Sequence, residues 1–146
     1  LKEITTFKKS ELKKRKPEAN QKHLSILPIK KLVNPTDIIS SHFISWIDAW
    51  ETRNITLYLS FYSNNFKDSK RTRSRWETSR RKSLKNSSDI SVEISDVKIN
   101  QVKNTIKVAF IQKFKSNRFS DIGKKVLIWR KEDDHWKIIK ESWSPI

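Results

Sequence analysis

Cysteine and methionine are both absent from the 146 residues, and glycine occurs once, at Gly123. Without cysteine the chain has no disulfide, no thiolate nucleophile and no cysteine-ligated zinc, and either a reducing or an oxidising compartment accommodates it. A single glycine excludes the glycine-rich loops that cradle phosphates. No apolar run approaches the roughly 18 to 20 residues that a membrane-spanning helix needs, because Lys, Asp, Arg or Glu interrupts every stretch. Paired catalytic carboxylates and clustered metal ligands are missing as well. His42 falls beside Phe43 in an apolar helix and His135 in a hairpin, neither in a recognisable dyad with an acid, so no catalytic residue, metal site or cofactor is expected. The chain opens on Leu1, which together with the missing Met suggests a start inside a longer protein or after a processing site.

What the sequence does have is positive charge and aromatic bulk. Thirty-two Lys and Arg against sixteen Asp and Glu give +16, a field that attracts anionic partners such as nucleic acid, anionic lipid or an acidic wall polymer without choosing among them. The charge is concentrated: residues 1–33 carry ten basic and three acidic side chains, residues 67–85 nine and two, so each segment holds +7. The first segment, with Pro17 and Pro28 and little apolar periodicity, reads as a basic flexible tether over residues 1–33. The remainder, 34–146, has the six Trp and enough Phe, Ile and Val to fill one core, and is read as one domain.

Asn34 and Pro35 form a helix start, and Ile39, Phe43, Trp46 and Trp50 recur at spacings of four, three and four, which predicts an amphipathic helix to about Arg53. Thr56 is positioned to cap a short second helix carrying Tyr58, Phe61 and Tyr62. Ser74 and Glu77 stand in capping-box relation at the start of a third, with Trp76, Arg80 and Leu84 at four-residue steps. After Asp89 the period becomes two. Ile90, Val92 and Ile94 alternate, then Val97 and Ile99 in the opposite phase, which predicts a bulge near Ser95 and Asp96. Thr105 to Phe114, Lys124 to Lys131 and Trp136 to Trp143 follow as strands, the last two joined by a hairpin at Glu132 to His135. Gly123 falls in the connection before the third strand, where an unusual backbone angle is expected. The fold class is therefore α+β: three N-terminal helices packed in the concave face of a curved four-stranded antiparallel sheet.

The order of these elements, with Trp46 to Trp50 in the first helix followed by Tyr58-Leu59-Ser60-Phe61-Tyr62-Ser63 and Asn65-Phe66, resembles the nuclear transport factor 2-like superfamily. That is the cone-shaped fold of SnoaL-like enzymes and many noncatalytic modules. Ser74-Arg75-Trp76-Glu77, Phe110-Ile111-Gln112-Lys113-Phe114-Lys115-Ser116, Ser120-Asp121-Ile122-Gly123-Lys124-Lys125 and Trp136-Lys137-Ile138-Ile139-Lys140-Glu141 look most like the C-terminal accessory domain of bacterial L,D-transpeptidase-type cell-wall proteins. The match spans about Ile39 to Trp143. The catalytic domain of such proteins uses a cysteine nucleophile, which this chain lacks, so their activity does not carry over.

The resemblance implies a pocket at the open end of the cone, with Tyr58, Tyr62 and Trp76 as candidate walls and Gln112 and Glu141 directed inward. The aromatics at helical spacing equally fit a core, and Glu141 equally fits a structural pairing with Arg80 or Lys125. Asp121 with Lys125 is a second candidate, placed in a loop where the acid either caps amides or meets a partner. Arg71, Arg73, Arg75, Arg80, Arg81 and Lys82 form a candidate anion-binding surface around Trp76, suited to phosphates or acidic polymers, or simply a solvated helix face. The function expected is a noncatalytic accessory domain of a cell-envelope or periplasmic protein, positioning an upstream catalytic domain or binding an anionic wall polymer. A SnoaL-like small-molecule enzyme and a nonspecific nucleic-acid binder at low salt are the alternatives. Ala109, Ile111, Leu127 and Trp129 are the expected apolar residues of an outer sheet face through which a homodimer could form.

Overall fold

Asn34 opens the first helix of the computed structural model, which describes residues 34–146. The basic tether expected over residues 1–33 lies outside the described residues. Asn34 accepts a hydrogen bond from the Thr36 amide at 2.9 Å, with Pro35 in the first turn, and α1 runs Pro35–Glu51. Its inward stripe of Ile39, Phe43, Trp46 and Trp50 is buried. The short α2, Ile55–Ser60, is capped by Asn54 and not by Thr56, because the Asn54 carboxamide already accepts from the Leu57 amide. Likewise α3, Arg73–Asn86, starts two residues earlier than the Ser74–Glu77 pattern predicts. Thr72 accepts from the Arg75 amide, and Glu77 turns to Arg73 and Arg81 instead of closing a capping box.

Four antiparallel strands follow in sequence order: β1 Ser91–Val102, β2 Thr105–Lys115, β3 Ser120–Glu132 and β4 His135–Pro145. The register of β1 on β2 slips between Ser95 and Lys98, with Asp96 at φ 53°, and this bulge changes the inward set from Val92 and Ile94 to Val97 and Ile99. The β3–β4 hairpin turns on Asp133 and Asp134, both at positive φ, as a two-residue loop demands. A second irregularity lies in β4, where Trp129 pairs with Ile138 but Ile128 pairs with Lys140, leaving Ile139 as the extra residue. It reverses the phase of the strand. Trp136 and Ile138 face the core before it; Glu141 faces inward after it, opposite the buried Leu127.

β3 begins four residues before the predicted boundary, so Gly123 and Asp121 lie in a strand and not in a loop. Gly123 has no positive φ; what it supplies is space, since a Cβ there would come 2.5 Å from the Ser144 carbonyl oxygen and 2.5 Å from the Trp143 ring. With Gly123 and Lys125 facing inward, the alternation carries Leu127 and Trp129 inward too, opposite Val108 and Ile106. The expected outer apolar face therefore lacks Leu127 and Trp129. Ala109 and Ile111 share that face with the half-buried Val126 and Ile128.

The helices fill the concave side. Phe43 packs on Phe110 with ring centroids 4.8 Å apart and Trp50 stacks on Phe114 at 5.2 Å, joining α1 to β2. Residues after α2 meet the free edge of β4 at Ile138: the Ser63 amide donates to the Ile138 carbonyl and the Ile138 amide to the Phe61 carbonyl, which interrupts an otherwise unpaired strand edge.

Candidate functional site

Trp46 and Trp50 on α1 and Tyr58 and Tyr62 around α2 occupy the interior of the cone, so three of the expected pocket walls are core. Tyr58 and Tyr62 are buried, and Trp76 packs between Tyr62 at 4.4 Å and Phe66 at 4.5 Å. Trp76 is therefore not available to stack a base. The interior polar groups form one chain of contacts. Trp46 Nε1 donates to the Tyr62 hydroxyl at 3.1 Å, Tyr62 donates to Glu141 Oε1 at 2.6 Å, and Lys125 Nζ donates to Glu141 Oε2 at 2.8 Å. The Tyr58 hydroxyl lies 3.1 Å from that of Tyr62. Because the single Tyr62 proton goes to the carboxylate, Tyr58 is the donor in this contact. Of the two cations weighed for Glu141, Lys125 makes the ion pair.

Burial alone would raise the Glu141 carboxyl, but the adjacent Lys125 charge, with hydrogen bonds from Lys125 and Tyr62, more than offsets it and holds the group below the ordinary 4.5. Burial, and then the Glu141 charge, push the Tyr62 phenol well above its usual value. A carboxyl depressed in the folded state contributes stability that is present above its unfolded value and is lost as pH falls through the folded one. The urea midpoint of the domain is accordingly expected to fall as pH drops below 4.5, and Glu141→Gln to flatten that fall. Glu132, held low by Arg130, leaves a residual slope. Equal pH dependence in the variant and the parent would show that Glu141 is not depressed.

Beyond this network the open end of the cone retains a cavity of about 140 Å³ between α3, β2, β3 and the end of β4. Gln112, Asp121 and Lys125 line it, together with Trp50, Arg80, Phe119 and Trp143. Among the described residues four buried side-chain polar atoms lack a hydrogen-bond partner, and three of them, Arg80 Nε, Gln112 Oε1 and Asp121 Oδ1, belong to this cavity. Buried polar groups are almost always paired, so three orphans around one void mark a place where a ligand or water completes the bonding. A wider groove of about 460 Å³ across β2, β3 and β4, bordered by Lys67, Lys107 and Lys140 and lined by Val126 and Ile128, has no such group.

Arg80 departs from the expected surface role. Its four-residue relation to Trp76 and Leu84 puts it on the inner face of α3, where the guanidinium lies 5.4 Å from the Trp50 ring centroid and 5.3 Å from that of Tyr58. Lys125 approaches the same Trp50 ring at 5.0 Å, so this indole is flanked by two cations. Arg73 is also committed inward, bonding Glu77 and the Tyr62 and Ser63 carbonyls. Arg71, Arg75, Arg81 and Lys82 are exposed, with Arg71 paired to Asp68 and Arg81 to Glu77. Phe119 and Trp143, absent from the sequence-based site, form the mouth and are 57% and 41% exposed. The signal that could have found Trp143 is its place two residues beyond Glu141 on the same face.

A model of the Cds6 C-terminal NTF2-like domain family matches residues 38–142. Among solved structures the chain is similar to Bd1075 of Bdellovibrio bacteriovorus, with 29% identity and a TM-score of 0.71 over 75% of this chain and 40% of that one. It is also similar to a K307A mutant of Pgp2, the helical cell shape determining protein of Campylobacter jejuni, with 20% identity and a TM-score of 0.65 over 71% of this chain and 39% of that one. A third similar structure, an NTF2-like protein of Cytophaga hutchinsonii, has 17% identity and a TM-score of 0.66 over 78% of this chain and 100% of that one. The chain thus spans about two fifths of the length of the first two. No match was found among curated proteins.

Proposed function

We propose, from the premise that this chain belongs to the Cds6 C-terminal NTF2-like domain family, that it is a noncatalytic accessory module of a bacterial cell-envelope protein. In this reading the module holds a fragment of the wall polymer in the cavity at the open end of the cone. The observation that carries it is the convergence of three unpartnered buried polar atoms on one void with an aromatic mouth, the usual composition of a ligand site. The likeness to a cell shape determining protein and the 40% coverage of Bd1075 support a domain that accompanies a larger catalytic or scaffold partner in the envelope.

NTF2-like folds host enzymes as well as binding domains, so the fold alone does not decide between them. The protonation chemistry favours binding. A general acid or base works best with a pKa near the operating pH, yet Lys125 and the Tyr62 hydroxyl hold the Glu141 carboxyl low against its burial, while burial and the Glu141 charge push the Tyr62 phenol high. The exposed Arg75, Arg81 and Lys82 on α3 add a charge-driven contribution to polyanion binding, which weakens steeply with salt and is independent of base sequence.

The test is titration of the isotope-labelled chain with soluble disaccharide–peptide fragments of peptidoglycan at low and high salt. Shifts centred on the Arg80, Gln112 and Asp121 side chains and the Trp143 indole, surviving added salt, are the expected result. Perturbation confined to α3 and abolished by salt would mean that only the charged surface binds. Tight, salt-resistant binding to one nucleic-acid sequence would replace the envelope reading by a nucleic-acid one.

A further inference from the structure

The cavity wall makes two opposite demands. Arg80 Nε is a donor without an acceptor, whereas Gln112 Oε1 and Asp121 Oδ1 are acceptors without a donor. Gln112 is only 3% exposed, so water in bulk does not satisfy it. Four ionisable groups stand in or directly behind the wall, Arg80 and Lys125 against Asp121 and Glu141. Lys125 and Glu141 are committed to each other, and Glu141 also to Tyr62, which leaves Arg80 and Asp121 as the lining charges outside that ion pair.

Such a wall discriminates among ligands. Sulfate offers acceptors only, and phosphate, which keeps one or two P–OH donors near neutral pH, brings up to two negative charges against Asp121. An apolar group leaves all three atoms orphaned, at a cost for each. A carboxylate with a nitrogen on the neighbouring carbon meets both demands, since its oxygens accept from the Arg80 guanidinium while its N–H donates to Asp121 or the Gln112 amide. The void, about 140 Å³ and open at its mouth, has room for one amino-acid unit.

We propose that the cavity receives the terminal amino-acid unit of a peptide-like ligand, carboxylate toward Arg80 and amide or amine nitrogen toward Asp121 and Gln112. The rest of the ligand leaves across Phe119 and Trp143. Trp143 is held in place because Gly123 beneath it has no side chain. The proposal rests on the reading of this cavity as the ligand site and adds the chemistry of what enters it.

The experiment compares N-acetyl-alanyl-alanine bearing a free carboxylate, in D and L forms, with its C-terminal amide and with inorganic phosphate. Affinity for the 146-residue chain is followed by amide and indole shifts. The free acid is expected to bind at least about tenfold more tightly than the amide, as loss of a charge-assisted hydrogen bond implies. Arg80→Gln is expected to abolish that preference. Because Arg80 packs on Trp50 and its replacement can disturb folding, Asp121→Asn at the strand end is the second variant, expected to weaken the acid several-fold with an unchanged unfolding midpoint. Equal binding of acid and amide overturns the proposal, as does displacement of the acid by equimolar phosphate. If disaccharide–peptide fragments bind the cavity but the dipeptide acids neither bind nor compete, this inference fails and the ligand-site reading stands. If none of them binds, both fail.

Discussion

Replacing Glu141 by Ala is expected to lower the unfolding free energy by about 3–5 kcal/mol, the usual consequence of removing one partner from a buried ion pair. Lys125 and Glu141 side chains are only 7% and 16% exposed, and their contact is 2.8 Å. Without the carboxylate the ammonium is left beside the faces of Trp46 and Trp50, and the Tyr62 hydroxyl loses its acceptor. Against the 5–15 kcal/mol typical of a domain this is a large share. The damage comes from the stranded charge more than from loss of a net attraction, so Lys125→Met with Glu141→Leu together is expected to be much milder than Glu141→Ala alone. Urea unfolding followed by tryptophan fluorescence measures both. A single variant within about 1 kcal/mol of the parent would mean that the pair is solvated and contributes as a surface bridge does.

Trp46→Ala is expected to be comparably severe, about 3–5 kcal/mol, with loss of the near-ultraviolet dichroism of the packed aromatic cluster. Trp46 is fully buried, and its ring meets Phe43, Trp50, Tyr58 and Phe110 at centroid distances of 5.3 to 6.2 Å. Its indole N–H also donates to the Tyr62 hydroxyl. Truncation therefore leaves a void between α1 and β2 and removes a donor from the Tyr62–Glu141–Lys125 chain. Trp46→Phe, which restores part of the volume without the N–H, separates the two contributions and is expected to fall between Ala and the parent. A loss below about 1 kcal/mol for Trp46→Ala would show that the neighbouring rings collapse into the space.

The cavity was harder to read than the core for a physical reason. A core residue announces itself by hydrophobicity and period, as Ile39, Phe43, Trp46 and Trp50 do along α1. The cavity is lined by what is left uncovered when several elements meet, and no local pattern encodes that. Gln112 stood out because it is polar at an inward position of an otherwise apolar strand face. Arg80 reads two ways in the sequence, as a surface charge among eight other basic residues between Lys67 and Lys85 and as a candidate partner of Glu141, and only the packing against Trp50 puts it inside. Phe119 lies between strands and carries no period at all.

The sequence by itself determined the class and order of the elements, the inward stripe of α1, the bulge near Asp96 and the Asp133–Asp134 hairpin, because these depend on periodicity and turn chemistry within a few residues. It also narrowed the partners of Glu141 to two cations. Only the tertiary structure decided between them, and it did so through the extra residue Ile139, which shifts the phase of β4 and brings Glu141 inward opposite Leu127, within 2.8 Å of Lys125. The direction of a side chain beyond a bulge depends on which residue the neighbouring strand skips. That is a choice made between strands by cross-strand pairing and core packing, and no single strand carries it.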